Sequence, residues 1–316
     1  MVRENLKLGR YLRTLGTAAI CLFALLIFRL PTAGSNENEL GAFGPESERL
    51  REQLWVVPSG DPNKHLRATV FRPADRPGSY NRHPLVVINH GTAADTRLAL
   101  SMPVYYWLSR WFVERGYVAI VPQRRGYGAT AGPVVDSIGD CSSPDHYASG
   151  QVAADDVQAV VSYMNRQSFI EPNQTIVVGA SSGGWASLAL ASRNPAEVRG
   201  VINFAGGRGA HPSGVRNLVC GEAKLIDAVH AYGNTARVPT VWFYAENDSY
   251  FGPDLATSMA KAWRDAGGSV ELNIEPPYGD EGHALIDDQA GWKIWGPAVD
   301  HFLGHVINVP TLAGLN

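Results

Sequence analysis

The stretch Thr175-Ile176-Val177-Val178-Gly179-Ala180-Ser181-Ser182-Gly183-Gly184-Trp185-Ala186 decides how the rest of the chain is read. Its first four residues are all β-branched, the composition of a buried strand. Gly179-Ala180-Ser181-Ser182-Gly183 then fits Gly-x-Ser-x-Gly, and the small, helix-permissive residues that follow run to Asn194-Pro195, where a helix should stop. A strand, a tight turn and a helix in that order hold the serine in strained φ/ψ at the apex of the turn. Glycine two residues to either side removes Cβ atoms that would clash where the chain folds back on itself. Ser181 Oγ should therefore stand at the carboxyl edge of a sheet as a nucleophile. The pentapeptide alone can recur by chance; the strand before it and the helix after it distinguish this serine from an idle one in a glycine-rich turn.

The alternation extends in both directions. Strands are expected over Gln53–Val57, Leu66–Arg72, Leu85–Asn89, Val118–Pro122, Thr175–Gly179, Val201–Phe204, Thr240–Ala245 and Ser269–Ile274. Helices fit between and after them at Val104–Arg115, His146–Gln167, Gly183–Arg193, Glu222–Tyr232, Pro253–Ala266 and Asp287–Leu303. Continuous apolar runs such as Leu85-Val86-Val87-Ile88 suit parallel strands covered on both faces, while the turn-rich Pro58–Asn63 suits an antiparallel start. The expected class is α/β, with a mostly parallel eight-stranded sheet and helices on both faces. Sites in such sheets lie outside the carboxyl ends of the strands.

With 316 residues, 45% of them hydrophobic and 18% charged, the chain can bury one large core. The formal charge of −3 comes with no basic cluster in the body of the chain, which argues against a nucleic-acid partner. The amino terminus differs from the rest: Arg3, Lys7, Arg10 and Arg13 precede an apolar run from Leu15 to Phe28, with Pro31-Thr32-Ala33-Gly34-Ser35 beyond. Fourteen residues are short for a bilayer span, which needs roughly 20. Residues 1–34 therefore read as a signal peptide, or otherwise as an uncleaved membrane anchor, residues 35–48 as a linker, and residues 49–316 as the catalytic domain. Residues 1–34 hold five of the 27 Lys/Arg and one of the 30 Asp/Glu, so the body without them carries a net charge of −7. Of three cysteines, Cys21 belongs to the export segment, leaving Cys141 and Cys220 as an even pair expected to form a disulfide in a secreted or periplasmic protein.

From these residues the chain resembles an α/β-hydrolase, in particular the dienelactone-hydrolase-like serine esterases, over roughly residues 50–305. The resemblance implies an α/β-hydrolase fold with a small lid insert and a triad in the order Ser, Asp or Glu, His. Ser181 is followed by Asp248 in Phe243-Tyr244-Ala245-Glu246-Asn247-Asp248 and by His283 in Gly279-Asp280-Glu281-Gly282-His283. These fall after the seventh and eighth expected strands, with Glu246 and Asp254 as rivals for the acid. His90, His83, His146, His211 and His230 are alternatives for the base, but only His283 has the implied loop and chain order. Ser181 needs His283 to take its proton, and Asp248 would fix the imidazole tautomer.

The resemblance also implies two backbone donors for an oxyanion: the N–H of Ser182 and that of Thr92, with Ala93 as rival, in the loop His90-Gly91-Thr92. Pro122–Gly128 resembles an Arg-Gly-aromatic-Gly turn, in which Arg124 or Arg125 would tie the loop to acidic neighbours such as Asp155 or Asp156. Tyr105, Tyr106, Trp107, Trp185 and an insert over Gly206–Arg237 are candidates for the pocket, with core packing the competing role for the aromatic group. The expected activity is that of a serine hydrolase cleaving carboxylic esters or lactones through an acyl-enzyme, acting on a small-molecule ester with no cofactor or metal. A peptidase of the same fold and a non-catalytic binding protein are the alternatives.

Overall fold

Leu85-Val86-Val87-Ile88 and Ile176-Val177-Val178 have no polar side chain to offer water, and in the computed structural model of the chain both runs are fully buried at the middle of one sheet. The structure describes residues 39–75, 82–92 and 105–307. The signal-peptide reading of residues 1–34, the first residues of the linker and Ala93 lie outside them. Ser35–Asn316 form one compact unit.

The strands are β1 (Gly41–Phe43), β2 (Gln53–Pro58), β3 (His65–Phe71), β4 (His83–Asn89), β5 (Val118–Gln123), β6 (Ile170–Ala180), β7 (Val198–Phe204), β8 (Thr240–Ala245) and β9 (Val270–Glu275). Their spatial order is β1-β2-β3-β5-β4-β6-β7-β8-β9. β1, β2 and β3 are antiparallel, β3 is antiparallel to β5, and every pairing from β5 to β9 is parallel. The sheet thus has nine strands instead of the expected eight. The additional one, Gly41-Ala42-Phe43, is too short for an apolar period of its own and owes its conformation to pairing with Leu54–Val56. It lies within the stretch read as linker.

Helices α1 (Tyr106–Glu114), α2 (His146–Met164), α3 (Ser182–Ala191), α4 (Glu222–Thr235), α5 (Pro253–Asp265) and α6 (Trp292–Val306) flank the sheet. Alternation along the strands divides them between two cores. Leu85, Val87, Val177 and Trp242 pack with α2, α3, α4 and α5 on one face, while Val86, Ile88, Val178 and Ile202 pack with α1 and α6 on the other. α3 lies wholly inside, every residue from Ser182 to Ala191 being buried, which fits its uniformly small and apolar sequence. α4 was expected within a lid. Its Leu225, Val229 and Tyr232 belong to the core, so it is a crossover helix, and only residues 206–221 lie as an insert on the carboxyl edge.

Candidate active site

The turn between β6 and α3 has the strain its sequence demands. Ser181 adopts φ 52°, ψ −122°, a region that non-glycine residues rarely enter. A Cβ on Gly179 would stand 2.2 Å from the Gly183 carbonyl oxygen, and one on Gly183 would stand 2.2 Å from the Asn89 carbonyl oxygen. Both glycines are therefore required by close backbone approach: one closes the turn and the other lets α3 start against the end of β4. The backbone is pinned by Ser181 N–H donating to Phe204 O (2.9 Å) and by Gly207 N–H donating to Ser181 O (3.2 Å). Although Ser181 occupies the N-cap position of α3, its side chain does not cap the helix. Among the described residues its hydroxyl makes no hydrogen bond, and Oγ is left for other chemistry.

On the same edge, the loops after β8 and β9 bring Asp248 and His283 together. His283 Nδ1 donates to the Asp248 carboxylate, 3.0 Å from Oδ2 and 3.2 Å from Oδ1. Asp248 is 3% exposed, and its Oδ1 also accepts the N–H groups of Tyr250 (2.7 Å) and Phe251 (3.0 Å), so the carboxylate is held from its own loop. With the proton on Nδ1, His283 Nε2 carries a lone pair. The rival carboxylates are elsewhere: Glu246 is exposed and Asp254 lies in the first turn of α5. No hydrogen bond joins His283 to Ser181 among the described residues, so the structure assembles the acid and the imidazole as a pair and leaves the serine beside them on the edge.

Thr92 and Ser182, the two residues expected to donate backbone N–H groups, lie on facing loops joined through their side chains. Ser182 Oγ and Thr92 Oγ1 are 2.5 Å apart, Thr92 Oγ1 is 3.1 Å from Tyr127 Oη, and Tyr127 Oη is 2.9 Å from Asp136 Oδ1. Arg124 donates to Ser182 Oγ at one end (3.1 Å) and to Asp136 Oδ2 (3.1 Å) at the other. A guanidinium cannot accept and an ionised carboxylate cannot donate, so the direction is fixed: Ser182 donates to Thr92, Thr92 to Tyr127, and Tyr127 to Asp136. Burial alone would raise the Asp136 carboxyl; the guanidiniums of Arg124 and Arg208 outweigh it and hold the group below its usual range. The backbone N–H of Ser182 is the first of α3, at the positive end of the helix.

His90 belongs to this layer as scaffold. Its Nε2 accepts the Arg124 N–H (3.1 Å), which places the ring proton on Nδ1, 2.7 Å from Gly91 O. Complete burial, aided by the Arg124 charge, pushes it down to about 3, so it is neutral. His146 opens α2 and bonds Cys220 O, His83 opens β4 and bonds Gly116 O, and burial lowers both. Arg125 pairs with Asp156 (2.7 Å), as expected, whereas Arg124 selects Asp136, twelve residues further along the chain.

Several parts of the site were missed by the sequence reading. Asp136 looked like any loop carboxylate, and only three-dimensional proximity to Arg124 gives it a role. Tyr105, considered only as pocket lining, stands in a left-handed conformation (φ 55°, ψ 45°) at the start of α1 and accepts the Gly91 N–H on Oη at 3.3 Å. Glu281 holds the histidine loop, its Oε1 accepting the N–H groups of Ser249 (3.0 Å) and His283 (3.1 Å). The acidic spacing Asp280-Glu281 before Gly282-His283 was the only available sign. The expected disulfide is formed: Cys141 and Cys220 are bonded with Cα atoms 4.9 Å apart, tying the 137–145 loop to the insert.

A profile of the Dienelactone hydrolase family matches residues 104–299. No curated protein matches the chain in sequence. Similar solved structures include the acylaminoacyl peptidase of Pyrococcus horikoshii, at 13% identity and TM-score 0.59 over 84% of this chain and 43% of that one. A puromycin-hydrolyzing peptidase of Mycobacterium tuberculosis follows at 17% identity and TM-score 0.55 over 82% and 40%. An acetyl xylan esterase from a Paenibacillus species matches at 13% identity and TM-score 0.58 over 85% and 88%. The chain spans less than half the length of either peptidase. At such identities these likenesses speak for the fold alone, and they agree with it. The family profile takes in α1, the β6–α3 turn and both loops that bring Asp248 to His283, and the chain belongs to the dienelactone hydrolase family.

Proposed function

We propose that the protein is a serine hydrolase that cleaves carboxylic esters or lactones through an acyl-enzyme, with Ser181, His283 and Asp248 as the triad. The observation that carries this reading is the strained, uncapped Ser181 on the sheet edge that also bears a buried carboxylate bonded to His283 Nδ1. His283 Nε2 takes the Ser181 proton as Oγ attacks the carbonyl carbon, a contact that commonly tightens only when substrate is bound. The negative charge on the carbonyl oxygen is met by the N–H groups of Ser182 and Thr92. Collapse of the tetrahedral intermediate breaks the ester C–O bond, and His283 returns its proton to the leaving alkoxide. Water, deprotonated by the same imidazole, then attacks the acyl carbon, and collapse releases the carboxylic acid and restores Ser181. Asp248 keeps the tautomer correct and stabilises the imidazolium.

The Cys141–Cys220 bond supports an oxidising compartment, in keeping with the signal-peptide reading of residues 1–34. Ester preference is tested with p-nitrophenyl esters and lactones of graded acyl length beside the matched anilides. Turnover of esters above anilides, lost by a factor of about 10³ or more in Ser181→Ala, is expected. Faster anilide turnover would reassign the protein as an amidase, and equal activity in wild type and Ser181→Ala would remove Ser181 from the chemistry.

A further inference from the structure

Two contacts define where a catalytic imidazole points, and Asp248 supplies only one of them. A single Nδ1–carboxylate hydrogen bond fixes one corner of the ring but leaves its plane free to turn about that corner. The second constraint comes from Tyr250, two residues beyond Asp248. Its ring stacks on His283 with centroids 4.2 Å apart and planes inclined by 20°. On its opposite face it stacks on His211 of the insert, at 3.7 Å and 24°. Phe251 touches the imidazole at 5.8 Å, tilted by 50°.

The insert is fastened to this stack at three points. His211 Nε2 donates to Ser249 O at 2.8 Å and lies 3.1 Å from Ser249 Oγ. Asn217 N–H donates to Ser249 O at 2.8 Å. Arg216 pairs with Glu281 at 2.9 Å, and Glu281 in turn accepts from Ser249 Oγ (2.5 Å) and from the backbone N–H of His283. The charged and titratable groups around His283 are thus Asp248, Glu281 with Arg216, and Asp287, whose carboxyl His283 stabilises electrostatically. Tyr250 stands between His283 and His211.

We infer that Tyr250 is a positioning residue for His283, and that the insert sets its ring through His211. This inference rests on the triad reading above and adds a task for the insert: besides lining the approach to Ser181, it holds the general base in plane. It also accounts for an aromatic residue at 250 stacked on a histidine in an insert otherwise rich in glycine and small polar residues.

The test is steady-state kinetics on the full chain with a short p-nitrophenyl ester as probe, across pH 5 to 9. Tyr250→Ala should lower kcat about tenfold or more with KM within about twofold, because positioning acts on the transition state and not on substrate binding. The acidic limb of the profile should move down by up to about half a pH unit, since an aromatic face favours the imidazolium. Tyr250→Phe should restore both, and His211→Ala should lower kcat about threefold while Ser181 still reacts with a fluorophosphonate. Tyr250→Leu, which keeps bulk without a flat face, carries the same expectation should Tyr250→Ala fail to fold. A raised KM at unchanged kcat, or a wild-type profile in the folded variants, would overturn the positioning role. Wild-type protein with neither ester turnover nor fluorophosphonate labelling would instead sink the triad reading and this inference with it.

Discussion

Asp136 and His90 show how much of this site is maintained by residues that never meet substrate. Arg124 is 1% exposed and its charge is balanced by Asp136, so the pair behaves as a buried ion pair. Removing one partner of such a pair commonly costs about 3–5 kcal/mol, because the other is left buried and uncompensated. Asp136→Ala should therefore lower the urea midpoint by that order and also depress kcat, since Tyr127, Thr92 and Ser182 lose the acceptor that aligns their hydroxyls. Stability and kcat both at wild-type level would contradict the chain as described. His90 has a folded pKa of about 3, against an ordinary value near 6.5, so the unfolded chain takes up this proton first on acidification. The stability that neutral His90 contributes is complete above about pH 6.5 and is lost as the pH falls toward 3, at up to about 1.4 kcal/mol per pH unit. Between pH 7 and pH 4.5 wild type should lose about 2–3 kcal/mol more than His90→Asn, read as urea midpoints; parallel losses would contradict a buried neutral imidazole.

At the level of elements, the nucleophile turn was legible because strand, small residues and helix lie consecutively in the sequence. Its energetics are now specific: Gly183→Ala would drive a methyl into the Asn89 carbonyl, a backbone atom that cannot swing aside. The expected result is a loss of about 1–3 kcal/mol together with most of the activity, because α3 must withdraw from β4. Unchanged stability and turnover in Gly183→Ala would mean that this approach is looser than the geometry states. All six helices and the eight longer strands were legible from their periodicity. β1 was not, because three residues carry no period, and the core role of α4 was not, because an amphipathic helix looks the same in a lid and in a crossover. Asp248 and His283 could be read from chain order, and Cys141 and Cys220 from an even count. The Ser182–Thr92–Tyr127–Asp136 chain and the His211–Tyr250–His283 stack could not, since each joins segments far apart in sequence through contacts that only the fold creates.

For the whole molecule, one sheet edge collects everything the proposed chemistry uses: Thr92 after β4, Arg124 after β5, Ser181 after β6, the insert after β7, Asp248 after β8 and His283 after β9. Parallel strands force this convergence, because every carboxyl end of β4 to β9 lies on the same side. The insert and the 137–145 loop, locked together by the disulfide, lie over that edge without a large cap, so the site suits a substrate approaching from solvent. The central claim is that Ser181 is a nucleophile activated by His283. Its most direct measurement is labelling of the folded protein with a fluorophosphonate, followed by intact mass and peptide mapping. The account predicts one adduct, on the peptide bearing Ser181, absent from Ser181→Ala and slowed by about 10³ or more in His283→Ala. An unlabelled folded wild type, or an adduct that persists in Ser181→Ala, would contradict it.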